Sequence, residues 1–126
     1  MRYNNYRVFN KVVGNLGEDL ACQFLKKRGY KILKRNFLIR GGEIDIVAKE
    51  GSEIVFVEVK TRFTHEFGDP AEAMTYFKIK ALLKTAQFYL LQTKQQDAPY
   101  RLDFVAVDFS QDQKNPKMEL IKNITG

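Results

Sequence analysis

The sequence predicts one α/β or α+β sandwich whose elements run helix, three strands, helix, two strands. Three observations carry this. Apolar residues recur at helical spacing in two segments, around Leu20 and around Leu83. Apolar and polar residues follow strand patterns between turn-forming residues in the segments between and after them. The 126 residues hold one core of ordinary size and no second. The order of elements alone does not choose between the two classes.

Asn15 reads as the N-cap of a first helix reaching about Arg28, with Leu16, Leu20, Ala21, Phe24 and Leu25 as its apolar stripe and Gly29 as its stop. Residues 30–37 read as a strand, ended by Gly41-Gly42. Two strong strands follow, residues 43–49 and 53–62, joined by a Gly51-Ser52 turn. After a loop over 63–69, Asp69-Pro70-Ala71-Glu72 has the form of a capping box with Pro at the first helical position. The helix it opens, broken or unbroken near Thr75, runs to about Thr93. Ile79, Leu82, Leu83, Ala86 and Leu90 face the sheet, with Lys78, Lys80 and Lys84 on other faces. Residues 101–109 form a further strand, and 118–121 a weaker last one.

Composition excludes several classes. Apolar content of 44% and a mean hydropathy of −0.37 describe a globular chain. Runs such as Ile54-Val55-Phe56-Val57 fall far short of the roughly 18 apolar residues that cross a bilayer, so no membrane partner is expected. Residues 1–13 carry Arg2, Arg7 and Lys11 without an apolar core, so they read as a basic arm and not as a secretory signal; the expected location is cytoplasmic. One cysteine, Cys22, and one histidine, His65, cannot build a Cys/His zinc site. The net charge of +6 is uneven. Residues 1–40 hold ten Lys/Arg against Glu18 and Asp19, a balance of +8, and residues 41–126 hold eleven against thirteen acids, a balance of −2. A basic front on an acid-containing remainder suits a nucleic-acid enzyme whose carboxylates need cations; a solvated basic helix explains the charge equally well.

The central hairpin is the most informative segment. With Gly51-Ser52 as the turn, facing positions sum to 103. Ile44, Ile46, Ala48, Val55, Val57 and Val59 then share an apolar face, while Glu43 meets Lys60 and Asp45 meets Glu58 on the other. Cβ atoms so paired lie about 4.5–5.5 Å apart, which destabilises a sheet unless something positive sits between the acids. A hard cation such as Mg2+ or Mn2+ binds carboxylate and carbonyl oxygens, acidifies water and stabilises charge on a phosphoryl group. Lys60, on the same face, can position or help deprotonate that water. Incidental acids beside a Glu43/Lys60 ion pair are the plainer reading of the same pattern. Glu18 borders the helical stripe, where it either reaches over the sheet toward the acids or serves the helix macrodipole.

Taken together, Glu18, Asp45 and Glu58-Val59-Lys60 resemble the PD-(D/E)xK signature of the restriction-endonuclease-like nucleases. More closely, Gly17-Glu18-Asp19-Leu20-Ala21, Gly42-Glu43-Ile44-Asp45, Phe56-Val57-Glu58-Val59-Lys60, Phe67-Gly68, the Lys78 to Leu90 helix and Arg101-Leu102-Asp103-Phe104-Val105 resemble the YraN-like family of small bacterial proteins. The resemblance runs from about Gly14 to Val107. It implies an α/β fold with a restriction-endonuclease-like αβββαβ core, a mixed central sheet flanked by helices over residues 14–126, and kinship with archaeal Holliday-junction resolvases. It also implies a metal-dependent nuclease activity. Mapped onto this chain, Asp45, Glu58 and the Val59 carbonyl ligate Mg2+ or Mn2+, Lys60 is the catalytic lysine and Glu18 the helix-borne acid. The superfamily's Pro before the first Asp is replaced by Ile44.

Around these residues, Lys26, Lys27, Arg28, Arg62, Lys78, Lys80 and Lys84 are candidate phosphate contacts, each equally explained as solvated charge. His65 reads as surface loop, Cys22 as a small buried residue, and Asp103 as either a reach to the acids or a cap on the sheet edge. Tyr76, Phe77, Phe88 and Tyr89 stack on bases or pack in the core. The expected function is metal-dependent cleavage of DNA, branched or structured DNA included, recognised by shape. The alternative is a non-catalytic nucleic-acid-binding or adaptor protein of the same fold. A homodimer fits a junction resolver, since two cuts need two sites.

Overall fold

The computed structural model describes residues 2–64 and 68–125, with side chains described from Lys11 onward, Pro70 excepted. The hairpin organises the rest. Strands β2 (Gly42–Glu50) and β3 (Glu53–Arg62) join through Gly51-Ser52, Gly51 taking the left-handed φ of +59° that the tight turn requires. Ile46 pairs with Val57, Ala48 with Val55 and Glu50 with Glu53, the expected register. Strand β1 (Lys31–Ile39) lies antiparallel outside β2; β4 (Tyr100–Asp108) lies parallel to β3, and β5 (Lys117–Ile121) antiparallel to β4. The result is a mixed five-stranded sheet in the order β1-β2-β3-β4-β5, an α/β fold.

The two helices, α1 (Arg2–Lys27) and α2 (Tyr76–Gln92), cover opposite faces of this sheet. Ala21, Cys22 and Leu25 of α1 pack on Val55, Val57, Val59, Val105 and Val107. Leu82, Ala86 and Leu90 of α2 pack on Val47, Ile54, Phe56 and Leu102. Alternation along β3 thus feeds two cores at once, each fully buried side chain contributing about 1.5–3 kcal/mol. Tyr89 meets Phe37 and Phe56 edge to face, centroids 5.1 and 5.6 Å apart.

Three expectations are corrected. The first helix begins at Arg2, so Asn15 lies in its interior and not at its N-cap; no proline interrupts residues 2–27. Leu16, expected in the stripe, is exposed. The second helix takes the broken form expected near Thr75: a separate 3-10 turn, Pro70–Ala73, precedes it, and Thr75 caps it, its Oγ1 accepting the Lys78 N–H at 3.2 Å. Asp69 caps only the short turn, its carboxylate accepting from Ala71 N.

Two glycines set how closely the layers approach. A Cβ at Gly17 would lie 1.8 Å from Thr61 Oγ1, and one at Gly42 would lie 2.1 Å from Thr85 Oγ1. Gly17 therefore seats α1 on the far end of β3, beside Lys60, and Gly42 seats β2 under α2. Among the described residues no helix is long and apolar enough to cross a membrane.

Candidate active site

The site begins where the hairpin stops behaving as one. The β2–β3 ladder ends at Ile46/Val57, and the expected Glu43/Lys60 pairing does not form: Glu43 pairs with Leu38 of β1 and Lys60 with Ala106 of β4. Ile44, expected on the face of Ile46, is buried with Phe37 against α2, while Ile46 faces α1. The change of face has a local cause. Arg35/Ile46 and Phe37/Ile44 bracket Asn36 opposite Asp45, and Asn36 takes a left-handed φ of +53°, so both strands turn over together. At the turnover the Asp45 carboxylate accepts the Val59 N–H at 2.8 Å, replacing the ladder bond that β2 no longer offers. The N–H and C=O of a strand residue point to the same side, so the Val59 carbonyl also faces the Asp45 side.

Glu58 is buried next to Asp45, so the two acids meet as expected, though beyond the end of the ladder and not as the register pair that the turn predicted. Burial first, then the hydrogen bonding and charge of Glu58, hold the Asp45 carboxyl well above the usual carboxylate range; the Val59 N–H offsets part of this. From α2, Lys78 Nζ lies 3.1 Å from Glu58 Oε2, yet this oxygen is buried without a hydrogen bond, so the contact is a charge contact of poor geometry. Glu18 approaches from α1. Burial raises its carboxyl, Arg35 at 4.0 Å lowers it, and the charges of Glu43, Asp19 and Glu58 raise it further. Its Oε1 is likewise buried and unbonded, because Arg35 spends its short contact, 2.7 Å, on Asp19.

Residues 17–107 match the family described as "Uncharacterised protein family UPF0102". The chain belongs to that family. It is 47% identical over 111 residues to a UPF0102 protein of Caldicellulosiruptor saccharolyticus, covering 88% of this chain and 94% of that one. To those of Geobacter metallireducens and Clostridium kluyveri it is 47% and 40% identical over 114 and 115 residues, covering 90% and 91% of this chain and 92% and 94% of theirs. The UPF0102 match opens at Gly17, the glycine that seats α1, and contains Glu18, Asp45, Glu58, Lys60 and Lys78.

Within the UPF0102 segment the other candidates part company. Lys60 is exposed on the Glu58 face of β3. Lys78, expected away from the sheet, is at the acids. Arg62 is committed elsewhere, to Asp108 at 3.2 Å and to the Gly68 carbonyl. Lys26 and Lys27 end α1 about 12–14 Å along the helix from Glu18, away from the acids, and Arg28 follows them, over the Phe24 ring at 4.3 Å. Lys80 and Lys84 are exposed along α2, Tyr89 is core, and His65 lies outside the described residues. Among the described residues no three His, Cys, Asp or Glu side chains are grouped closely enough to hold a metal by themselves.

Asp103 does not reach the acids. It is fully buried at the hairpin's turn end, where it accepts from Tyr30 Oη at 2.7 Å, Arg101 Nε at 3.0 Å and Asn123 N at 2.9 Å. Arg101 also donates to Glu53 at 2.9 Å and Glu50 at 2.6 Å. Sequence reasoning missed this network; the signal available was Arg101 and Asp103 two apart on one face of a strand.

Proposed function

We propose that this UPF0102 protein is a cation-dependent phosphodiesterase that cleaves nucleic acid, DNA in branched or structured form included. The observation that carries the reading is the Asp45/Glu58 pair, brought together at the open end of the hairpin with Glu58 Oε2 buried and unbonded. The resemblance of Glu18, Asp45 and Glu58-Val59-Lys60 to the PD-(D/E)xK signature supports it.

The donor set fits a hard cation: all its atoms are oxygens, and a buried carboxylate oxygen without a donor is costly unless charge is supplied to it. Asp45, Glu58 and the Val59 carbonyl would hold Mg2+ or Mn2+, water completing the shell, since no third side chain does. The bound ion supplies an acidified water and charge stabilisation at the phosphoryl group. Lys60, exposed at the rim, orients the attacking water, and Glu18 holds further positive charge or water on the α1 side. Lys78 screens Glu58 and must lengthen its contact when the carboxylate takes a ligand.

A Mg2+- or Mn2+-dependent cleavage assay on linear, single-stranded and four-way-junction DNA tests the reading, with Asp45→Ala and Glu58→Ala expected to lose roughly 100-fold or more in rate. Variants that cleave like the parent would assign the activity to a contaminant. The adaptor reading has one observation in its favour, the Lys78 ammonium that partly neutralises Glu58 without a metal. It predicts salt-dependent nucleic-acid binding and no cleavage.

A further inference from the structure

We infer that Tyr76 and Phe77 form a stacking platform for unpaired bases, so that the strand led to the acid pair is single-stranded over at least two nucleotides. The inference deepens the proposed function and rests on that reading for the position of the scissile phosphate. Tyr76 is 71% exposed and Phe77 80%, whereas Tyr89 on the same helix is 8% exposed and packed in the core. Neither ring is needed by the fold: α2 holds the sheet with Leu82, Ala86, Tyr89 and Leu90. Lys78, the next residue along, touches Glu58, so the two rings stand within one helical turn of the lysine at the acid pair.

Charge decides the occupant. Helix α2 carries Lys78, Lys80 and Lys84 and no acidic residue, and Phe77, Lys80, Lys84 and Gln87 line one outward groove. Lys80 Nζ also sits 6.0 Å from the Tyr76 ring centre. A second copy docked by this face would set lysine against lysine, while a polyanion with exposed aromatic faces satisfies both features. Geometry then selects a single strand. The rings meet at 77°, centroids 5.6 Å apart, so they cannot extend one continuous stack. Each takes its own base, and successive bases must turn out of register with each other, which a paired duplex does not allow.

The chain has no tryptophan, so Phe77→Trp places one fluorophore on the platform. The experiment titrates the parent, Phe77→Trp and the double variant Tyr76→Ala/Phe77→Ala with single-stranded DNA of about a dozen nucleotides, within the span such sites cover, the same sequence in RNA, and a blunt DNA duplex, in EDTA. The expected result is tighter binding of the single strands, quenching by them of the indole fluorescence introduced with Phe77→Trp, and a loss of about 25-fold or more in the double variant, about five-fold for each ring. The double variant should keep the parent's melting temperature, since both rings are exposed. Failure of the parent to bind single strands, unchanged affinity in the double variant, or equal quenching by the duplex would each overturn the platform. Asp45→Ala separates the two claims. Cleavage that needs Asp45 but not the rings sinks the platform alone, and ring-dependent binding without any cleavage sinks the nuclease reading alone.

Discussion

At the turn end of the β2–β3 hairpin, Arg101 lies among Glu50, Glu53 and Asp103 with each of its nitrogens donating, and Tyr30, Asn123 and Lys122 add further donors to Asp103 and Glu50. At the open end, roughly 17 Å away at about 3.4 Å per strand residue, Asp45 and Glu58 share one backbone donor and one badly placed lysine. The first end pairs its buried charge internally and so contributes to the fold. The second leaves carboxylate oxygens without donors, a cost to the fold that a ligand can relieve. This contrast is the reason the cation site is proposed at the open end.

Breaking the satisfied end should have the largest effect. Arg101→Met leaves fully buried Asp103 without its cation, at an expected cost of about 3–5 kcal/mol in urea unfolding, while Mn2+ affinity stays within about two-fold of the parent, the two ends sharing no partner. Gly17→Ala comes next. Its methyl meets Thr61 Oγ1 and pushes α1 off β3, costing about 1–3 kcal/mol; Gly17→Ala/Thr61→Ala should recover most of the loss, and additive losses would show that the contact is not the cause.

Removing charge from the open end should act in the other direction. Asp45→Asn is expected to stabilise the metal-free protein at alkaline pH by on the order of 1 kcal/mol, and a destabilisation of Arg101→Met size would show that Asp45 is paired after all.

The smallest effect is in the pH profile, where the two ends pull oppositely. Asp45 has a raised folded pKa, so the folded state holds its proton when the unfolded chain has lost it. Its contribution is full below the ordinary carboxylate range and declines as pH rises through the raised value. Glu50 is lowered by Arg101 and Lys122, so its contribution is present above the ordinary range and is lost as pH falls. Melting temperatures between about pH 4 and 9 should show a decline on the alkaline side that Asp45→Asn flattens and a decline on the acid side that Arg101→Met flattens.

Much of this was legible in the residues. Gly51-Ser52 fixes the hairpin parity, and from Ile46 to Glu50 the register follows from it. Alternation does not see a side chain taking over a ladder bond, nor a positive φ at Asn36, so the face of Ile44 and the fate of Glu43 and Lys60 were misread while Asp45 and Glu58 still came together. Lys78, named as a candidate phosphate contact, was placed away from the sheet because a helical wheel ranks residues around one axis and does not know how the start of α2 crosses the sheet. The Arg101 network escaped because Tyr30, Glu50, Arg101 and Asn123 are distant in sequence and lack a shared period.

The most direct test of the contrast is calorimetric titration of Mn2+ into the parent, Asp45→Asn, Glu58→Gln and Arg101→Met in buffers of different ionisation enthalpy. The expected result is a specific site in the parent that releases a proton on binding, because Asp45 must ionise, is lost in both acid-end variants, and survives in Arg101→Met. A site unchanged by Asp45→Asn and Glu58→Gln, or no site in the parent at all, would contradict it.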